Sequence, residues 1–403
     1  MRTLRARGVG AWLSALGVAA LLLPASVSAQ DVAITNARVV VSDSAVINSG
    51  TVIVRGGRIV SLSPGAADTQ GLKTIDATGM TAMAGFIDAH KHVNTGPDEK
   101  AQMQALLEAG YTTILSGGGP GDGNITLRDR IESGTINGPR IIPSERVNLR
   151  GTPEEARAQI RAMAAKGIRH TGEIALTPEP GPTPQEIEVL KAIVDEAAKV
   201  GVQVNVHAVS TPAMVAAMDA GVRRLVHLPN KDWVSRAAAQ KVAATGSIVL
   251  GTIGFGAPVF GVFSNDNTPR FRDGKPWPES IAGANRADGV ATGTEAGYPI
   301  VNARTIWDQG GMIGYCTDTT YAPLAGLEHE LKSYSIVFSM RDIFKIMGAN
   351  SAAYIGMSDQ LGTLEPGKLA DVVLLDGNPV DGIHNMLRTK VVLKGGVVVV
   401  DKR

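Results

Sequence analysis

Two histidines at the end of an apolar stretch are the residues of this chain best placed for metal chemistry. His90 and His92 belong to segment 85–92, which reads GFIDAHKH. Because side chains alternate between the two faces of a strand, the spacing predicts that both imidazoles point to the same side. Two imidazole nitrogens can share one metal ion at about 2.0–2.1 Å each. An HxH pattern alone is a weak signal, so the assignment depends on further ligands elsewhere in the chain.

Residues of metal-ligand type recur further along the chain, each at the end of its own apolar run. They are Glu173, His207, His227 and Asp318. A polar group in apolar surroundings costs a few kcal/mol unless it is paired. One such residue is readily explained as a hydrogen-bonded core histidine, but packing hardly explains four histidines and two carboxylates together. The pattern therefore predicts a metal site made of these side chains and the two histidines of 85–92.

The elements that would position these ligands alternate between strand and helix from about residue 82. This pattern predicts an α/β architecture. Helices are predicted over 154–165 and 184–200, each opened by a Thr-Pro-x-Glu sequence. Strands are predicted over 82–92, 111–116, 139–147, 168–175, 202–208, 222–228, 247–253 and 312–318. Eight βα units over about 270 residues indicate a TIM (β/α)8 barrel, whose active site lies at the C-terminal ends of the strands.

Both ends of the chain have the composition of short strands separated by glycine turns. We expect residues 30–80 and 358–403 to pair into a small β-sandwich beside a barrel that spans 81–357. The connection 256–300 is far longer than usual for a barrel. Its rings and arginines, such as Trp277 and Arg272, favour a lid-like insertion, and the alternative is a surface insertion without a function.

The first 29 residues have the pattern of an export signal. Arginines at the start precede an apolar stretch from about Val9 to Leu23, and Val27, Ser28 and Ala29 form a small-residue cleavage pattern. An uncleaved membrane anchor is the alternative, but the apolar run is shorter than the roughly 20 residues that a membrane span needs. We therefore expect a periplasmic or secreted protein with no membrane association after cleavage.

The bulk composition is that of an ordinary globular protein. The chain has 403 residues, a net charge of +1, 44% hydrophobic residues and 19% charged residues, which is ample for a buried core. The near-neutral charge gives no indication of nucleic acid or of an anionic membrane as a partner. Cys316 is the one cysteine, so no intramolecular disulfide can form. A small-molecule substrate is the expected partner, and homo-oligomerisation is left open.

These motifs resemble the amidohydrolase superfamily of metal-dependent hydrolases, in the branch that includes imidazolonepropionase, prolidase and enamidase. The family motif Gly-x-x-Asp-x-His-x-His of strand one matches segment 85–92. The family's histidines of strands five and six match His207 and His227, and its strand-eight aspartate matches Asp318. Segment 361–375 is similar to the return segment of the family's sandwich. The resemblance covers essentially the whole mature chain.

The resemblance implies a site for one or two divalent ions. The histidines of segment 85–92 would hold one ion with Asp318, and His207 and His227 would hold the other. Glu173 would bridge the ions in place of the carboxylated lysine that many members use, and a mononuclear site stays open. Zinc is the default for such nitrogen and oxygen ligands, although manganese, cobalt or iron would fit too. The implied chemistry is hydrolysis by metal-activated hydroxide, with Asp318 as general base and then general acid.

The expected function is that of an exported hydrolase of amide-type C–N bonds. Candidate substrates are dipeptides, N-acyl amino acids, cyclic amides and aryl amides. A lactone or ester hydrolase with the same site is one alternative, and a non-catalytic scaffold is another, which the cost of burying unused charges disfavours. The fold does not determine the substrate. The candidate substrate-binding residues are Lys91, Arg146, Lys231, Arg272, Trp277 and Tyr321.

Overall fold

The computed structural model describes residues 30–254, 293–318 and 322–403. The predicted export signal, most of the predicted insertion 256–300 and the three candidate substrate contacts Arg272, Trp277 and Tyr321 lie outside the described residues. In the ranges that are described, no helix combines the length and the apolar character needed to cross a membrane.

The strands and helices of the described ranges alternate along most of the chain. The strands are β1 Val32–Val40, β2 Val46–Arg55, β3 Arg58–Pro64, β4 Lys73–Asp76, β5 Met80–Ala84, β6 Phe86–Lys91, β7 Tyr111–Ser116, β8 Arg140–Ile142, β9 Ser144–Glu145, β10 His170–Thr171, β11 Ile174–Ala175, β12 Asn205–His207, β13 Arg224–Val226, β14 Ile248–Gly251, β15 Met312–Tyr315, β16 Val372–Asp376, β17 Thr389–Lys394 and β18 Val397–Asp401. The α-helices are α1 Glu99–Glu108, α2 Gly121–Glu132, α3 Pro153–Ala165, α4 Pro184–Val200, α5 Thr211–Asp219, α6 Arg236–Thr245, α7 Gly293–Asp308, α8 Pro323–Val337, α9 Met340–Lys345 and α10 Ser351–Tyr354. A π-helical turn, Ile346–Asn350, joins α9 to α10, and a 3-10 helix covers Ile383–Leu387.

Strands from both chain ends form one mixed sheet in the order β18-β17-β16-β5-β1-β2-β3, with β4 paired to β1. The two ends meet where β16 pairs antiparallel with β5. One face of the sheet covers its own apolar core, which includes Val32, Val52, Val372, Leu374 and Val391. The β-branched residues that dominate these strands pack well on a pleated surface. The predicted pairing of the two chain ends is therefore present, and its hydrogen bonds run continuously through a single sheet.

The predicted strand 82–92 is wrong as one element, because the chain divides at Gly85. β5 belongs to the sheet of the chain ends, whereas β6 begins the parallel strands. The Gly85 N–H donates to the carbonyl of Asp371 at 2.9 Å. A Cβ atom at Gly85 would lie only 2.3 Å from Thr112 Oγ1. Glycine therefore lets the chain pass closely against β7 as it moves from one sheet to the next.

The remaining strands, β6 to β15, are all paired in parallel and follow one another in chain order. They form three sheets, β6-β7-β8, β9-β10 and β11-β12-β13-β14-β15. Hydrogen bonds connect the sheets: the N–H of Glu173 donates to Gly117 O at 3.1 Å, and that of Asp318 donates to His90 O at 3.1 Å. This is the α/β fold that the strand–helix alternation predicts.

The predicted helix starts are confirmed where a capping box is present. Thr152 and Glu155 form such a box at the start of α3, and Thr183 and Glu186 form one at the start of α4. In each case the threonine hydroxyl and the glutamate carboxylate satisfy backbone N–H groups of the first turn. The end of the predicted insertion is wrong, because residues 293–300 belong to α7 and not to a loop.

Candidate metal centre

The six predicted metal ligands come together at the C-terminal ends of the parallel strands, where Glu173 lies close to all four histidines. Its Oε2 lies 2.8 Å from His207 Nδ1 and 3.2 Å from His227 Nε2. Its Oε1 lies 3.3 Å from His92 Nε2. One carboxylate thus spans imidazoles from separate strands, which is the position that a bridging ligand requires.

Asp318 faces the same group of imidazoles from the other side. Its Oδ1 lies 3.4 Å from His90 Nε2 and 3.2 Å from His92 Nε2. Its Oδ2 lies 3.5 Å from His227 Nε2. Two triads have their ligand atoms within 4.8 Å of one another, namely His90 with Glu173 and His227, and His90 with His92 and Asp318.

Strand ends and loop starts position these side chains, as the (β/α)8 pattern predicts. His90 is in β6 and His207 ends β12, whereas Glu173 lies between β10 and β11. His227 and Asp318 follow β13 and β15 and have left-handed backbone conformations, with φ of +68° and +46°. That conformation costs a non-glycine residue about 1–2 kcal/mol. The surrounding structure must therefore hold both ligands in place against this strain.

The donor set fits a metal ion, because two of its atoms are buried and have no hydrogen-bond partner in the described structure. These atoms are His90 Nε2 and Asp318 Oδ1. Leaving both unpaired would cost about 1–3 kcal/mol each, and more where the group is charged. Imidazole nitrogens and carboxylate oxygens together are the usual ligands of zinc and related divalent ions.

The pKa shifts agree with a site that holds positive charge between carboxylates. Burial raises the pKa of Glu173, but hydrogen bonds from His207 and His227 outweigh burial and hold the pKa well below its usual range. Burial also raises the pKa of Asp318, but the nearby imidazoles of His90 and His92 outweigh burial and hold the pKa below its usual range. The neighbouring carboxylates of Asp318 and Glu173 raise the pKa of His92 to about 10. Both carboxylates are therefore ionised at neutral pH and available to a cation.

Further groups that sequence reasoning missed orient the ligands. His227 Nδ1 lies 2.8 Å from Thr252 Oγ1, which leaves Nε2 directed at the carboxylates. Gly117 lies directly against His90 and His92, and a Cβ atom there would be 2.8 Å from His90 Nε2 and 3.0 Å from His92 Nε2. The run of three glycines at 117–119 is the sequence signal that could have indicated such a close approach.

Helix α8 supports the end of β14, where Thr252 lies. The buried carboxylate of Glu330 accepts hydrogen bonds from Ile253 N at 3.1 Å and from Gly254 N at 2.8 Å. The hydroxyl of Tyr334 donates to Gly251 O at 2.9 Å. These contacts fix the backbone on both sides of Thr252. They therefore also fix the position of the Thr252 hydroxyl that contacts His227.

A cavity of about 880 Å³ opens beside Glu173 and His207. Arg146, a predicted substrate contact, lines it. Lys91 is buried with Nζ 3.5 Å from Thr317 Oγ1, and its predicted contact with substrate stays a prediction. Lys231 is exposed in the loop that follows β13, and its predicted contact with substrate stays a prediction.

The single cysteine and two histidines outside the metal centre are buried in the core. Cys316 is free and fully buried. His170 and His329 are buried too, and burial lowers the pKa of His170 to about 3 and that of His329 to about 2. Both are therefore neutral over the pH range in which the protein would work.

The chain belongs to the amidohydrolase family, whose sequence model matches residues 97–400. That family is metal-dependent.

Several solved structures share its fold. A Bifidobacterium longum protein described as a prolidase is 26% identical with a TM-score of 0.77, over 93% of this chain and 97% of that chain. A prolidase complexed with N-methylphosphonate-L-proline is 22% identical with a TM-score of 0.73, over 92% and 99% of the two chains. The adenine deaminase of Shigella flexneri is 38% identical over 68 residues only, which are 17% of this chain and 12% of that enzyme. The match to the curated deaminases is thus confined to about an eighth of their length.

Proposed function

We propose that this protein hydrolyses amide bonds of small molecules such as dipeptides, N-acyl amino acids, cyclic amides or aryl amides, with one or two divalent ions, zinc by default. The observation that carries the proposal is the convergence of the six ligand-type side chains around two buried atoms without hydrogen-bond partners, His90 Nε2 and Asp318 Oδ1. Such atoms are accounted for once a cation lies between them. Membership of the amidohydrolase family supports the same reaction.

The side chains divide naturally between two ion positions. His90, His92 and Asp318 would hold one ion, and His207 and His227 the other. Glu173 would bridge them, since its two oxygens face histidines of both groups. When bound, such ions lower the pKa of water and polarise the scissile carbonyl. Because Glu173 supplies the bridge, no carboxylated lysine is needed in this chain.

Asp318 is the residue proposed to move the proton. Its low pKa keeps it ionised at neutral pH, and its two oxygens point to different imidazoles. One oxygen can therefore accept the proton of the attacking water while the other keeps its contact with His227. The same oxygen then returns the proton to the leaving nitrogen, which completes acid–base catalysis by a single residue.

We further infer that the three parallel sheets make one (β/α)8 barrel, placed beside a small β-sandwich from residues 30–80 and 358–403. The chain order of β6 to β15 and the hydrogen bonds of Glu173 N and Asp318 N between the sheets support this barrel. Export to the periplasm or the medium is proposed from the pattern of residues 1–29.

A hydrolysis screen of the zinc-loaded protein tests the proposed function. The panel contains dipeptides, N-acyl amino acids, aryl amides and lactones, and each reaction is repeated with a chelator. His90→Ala should abolish turnover together with metal binding, whereas His384→Ala, at a half-buried histidine in the 3-10 helix, should change neither. Turnover of lactones without any amide would contradict the proposal, and so would amide turnover that survives complete metal removal.

A further inference from the structure

The cavity beside the metal centre is lined by two arginines. Arg146 and Arg150 belong to the segment that joins β9 to α3. Both are exposed to the cavity, in which Glu173 and His207 also take part. A volume of about 880 Å³ lies within the range of cavities that bind small molecules.

The other arginines between residues 128 and 161 differ from Arg146 and Arg150 in having carboxylate partners. Between residues 128 and 161 every other arginine of the described structure forms an ion pair, namely Arg128 with Asp129, Arg130 with Glu99, Arg140 with Asp371, Arg157 with Glu154 and Arg161 with Glu154 and Glu196. No described carboxylate pairs with Arg146 or Arg150. Within residues 128–161 of the described structure, the two arginines without a carboxylate partner are thus the two that line the cavity.

The stem of Arg146 also packs close to the metal ligands. Its Cγ lies 3.3 Å from the position of a Cβ atom on Gly118. The carbonyl of Gly118 lies 3.2 Å from His92 Nδ1. Glycine at this position lets the arginine stem pack against the backbone that contacts His92. The guanidinium therefore stands at the boundary between the cavity and the metal centre.

Two acidic residues line the cavity, Glu173 and Glu186, and neither forms an ion pair with these arginines in the described structure. Glu173 contacts the histidines of the metal centre. Glu186 lines the cavity, but its carboxylate accepts hydrogen bonds from Thr183 N at 2.7 Å, from Thr177 N at 3.0 Å and from the Thr177 hydroxyl at 2.9 Å. The carboxylate of Glu186 thus caps the start of helix α4 and also binds the loop that contains Thr177. Both carboxylates therefore have other partners, and the two guanidinium groups stay available to a ligand in the cavity.

We propose that Arg146, assisted by Arg150, binds a carboxylate of the substrate. The substrate class would then be amides with a free α-carboxylate, such as N-acyl amino acids and dipeptides, and not neutral cyclic or aryl amides. A guanidinium suits this role because its planar N–H groups match a carboxylate in two parallel hydrogen bonds. The proposal rests on the proposed amide hydrolysis at the adjacent site.

The test compares matched substrates that differ only in charge. N-acetyl-L-leucine and N-acetyl-L-leucinamide are each incubated with the zinc-loaded protein, and the release of acetate is followed. The wild type should prefer the acid by about 10- to 100-fold in kcat/KM, the size expected for a charge-assisted contact. Arg146→Met should remove most of this preference through a higher KM, and Arg146→Lys should restore part of it.

Binding measured without turnover separates this proposal from the proposed function. Calorimetry of Asp318→Asn, loaded with zinc, should show that N-acetyl-L-leucine binds more tightly than the leucinamide and that the added Arg146→Met change removes the difference. Arg157→Met, at an arginine paired on α3, is the matched control and should change neither measurement. Equal binding of acid and amide would overturn the proposal, even if amides are hydrolysed. Selective binding of the acid that depends on Arg146 would support it, even if no amide is hydrolysed.

Discussion

Replacing Thr252 by valine should weaken metal binding, although Thr252 is not itself a proposed metal ligand. It contacts Nδ1 of His227, whereas Nε2 of His227 is the nitrogen directed at the metal site. Thr252 Oγ1 lies 2.8 Å from His227 Nδ1. When His227 coordinates through Nε2, the proton must be on Nδ1, and the threonine hydroxyl accepts it. Valine keeps the branched shape but cannot accept this hydrogen bond.

The size of the effect follows from the burial of His227. Its side chain is 8% exposed, so water cannot easily replace the lost partner. A buried donor left without an acceptor costs about 1–3 kcal/mol. This corresponds to roughly a 5- to 150-fold loss of affinity, since 1.4 kcal/mol is about tenfold. Groups that orient a metal-bound histidine commonly contribute about 10- to 100-fold.

The assay is a zinc competition titration against a chromophoric chelator, with Thr252→Ser as the matched control. Serine keeps the hydroxyl, so its affinity should stay within a few-fold of the wild type. Thermal unfolding of each apoprotein shows whether the fold is intact. If Thr252→Val bound zinc as tightly as Thr252→Ser, the assignment of Thr252 as the group that orients His227 would be refuted.

Four further outcomes are expected. Asp318→Asn should lower kcat by about 10²–10⁴ with the metal retained, because it removes the general base; metal analysis and initial rates check this. Glu173→Gln should reduce occupancy of the second ion, and bicarbonate should not stimulate the wild type; reactivation of the apoprotein by bicarbonate would instead indicate a carboxylated lysine. Gly117→Ala should lower zinc affinity, since its Cβ would lie 2.8 Å from His90 Nε2; the competition titration measures it. Burial lowers the pKa of His170 from 6.5 to about 3, so the unfolded chain binds more protons than the folded chain between these pH values. The contribution of His170 to the free energy of unfolding is therefore complete above pH 6.5 and falls below it, by about 2 kcal/mol at pH 5. Denaturant unfolding at pH 7 and pH 5 should show a smaller fall for His170→Gln than for the wild type.

The convergence of the six candidate metal ligands could be predicted from the sequence because few residue types can bind a metal ion. Histidine and carboxylate side chains at the ends of apolar runs stand out, and parallel strands bring their C-terminal ends together. The positions of His207, His227 and Asp318 followed from this rule. The starts of α3 and α4 were similarly predictable, since a Thr-Pro-x-Glu sequence encodes a local capping arrangement.

The groups that support the ligands could not be predicted in the same way. Thr252 and Glu330 are ordinary residues in sequence, and their roles arise only when α8 packs against the end of β14. The division at Gly85 was missed because the apolar run continues through it from one sheet into the next.

The most direct measurement is the metal content of the purified protein, determined by elemental analysis alongside the hydrolysis rate of an N-acyl amino acid. We expect between one and two divalent ions per chain, with both occupancy and rate lost in His90→Ala and after chelation, and both retained in His384→Ala. Amide hydrolysis at full rate by a protein without any bound metal would refute the proposed metal-dependent reaction.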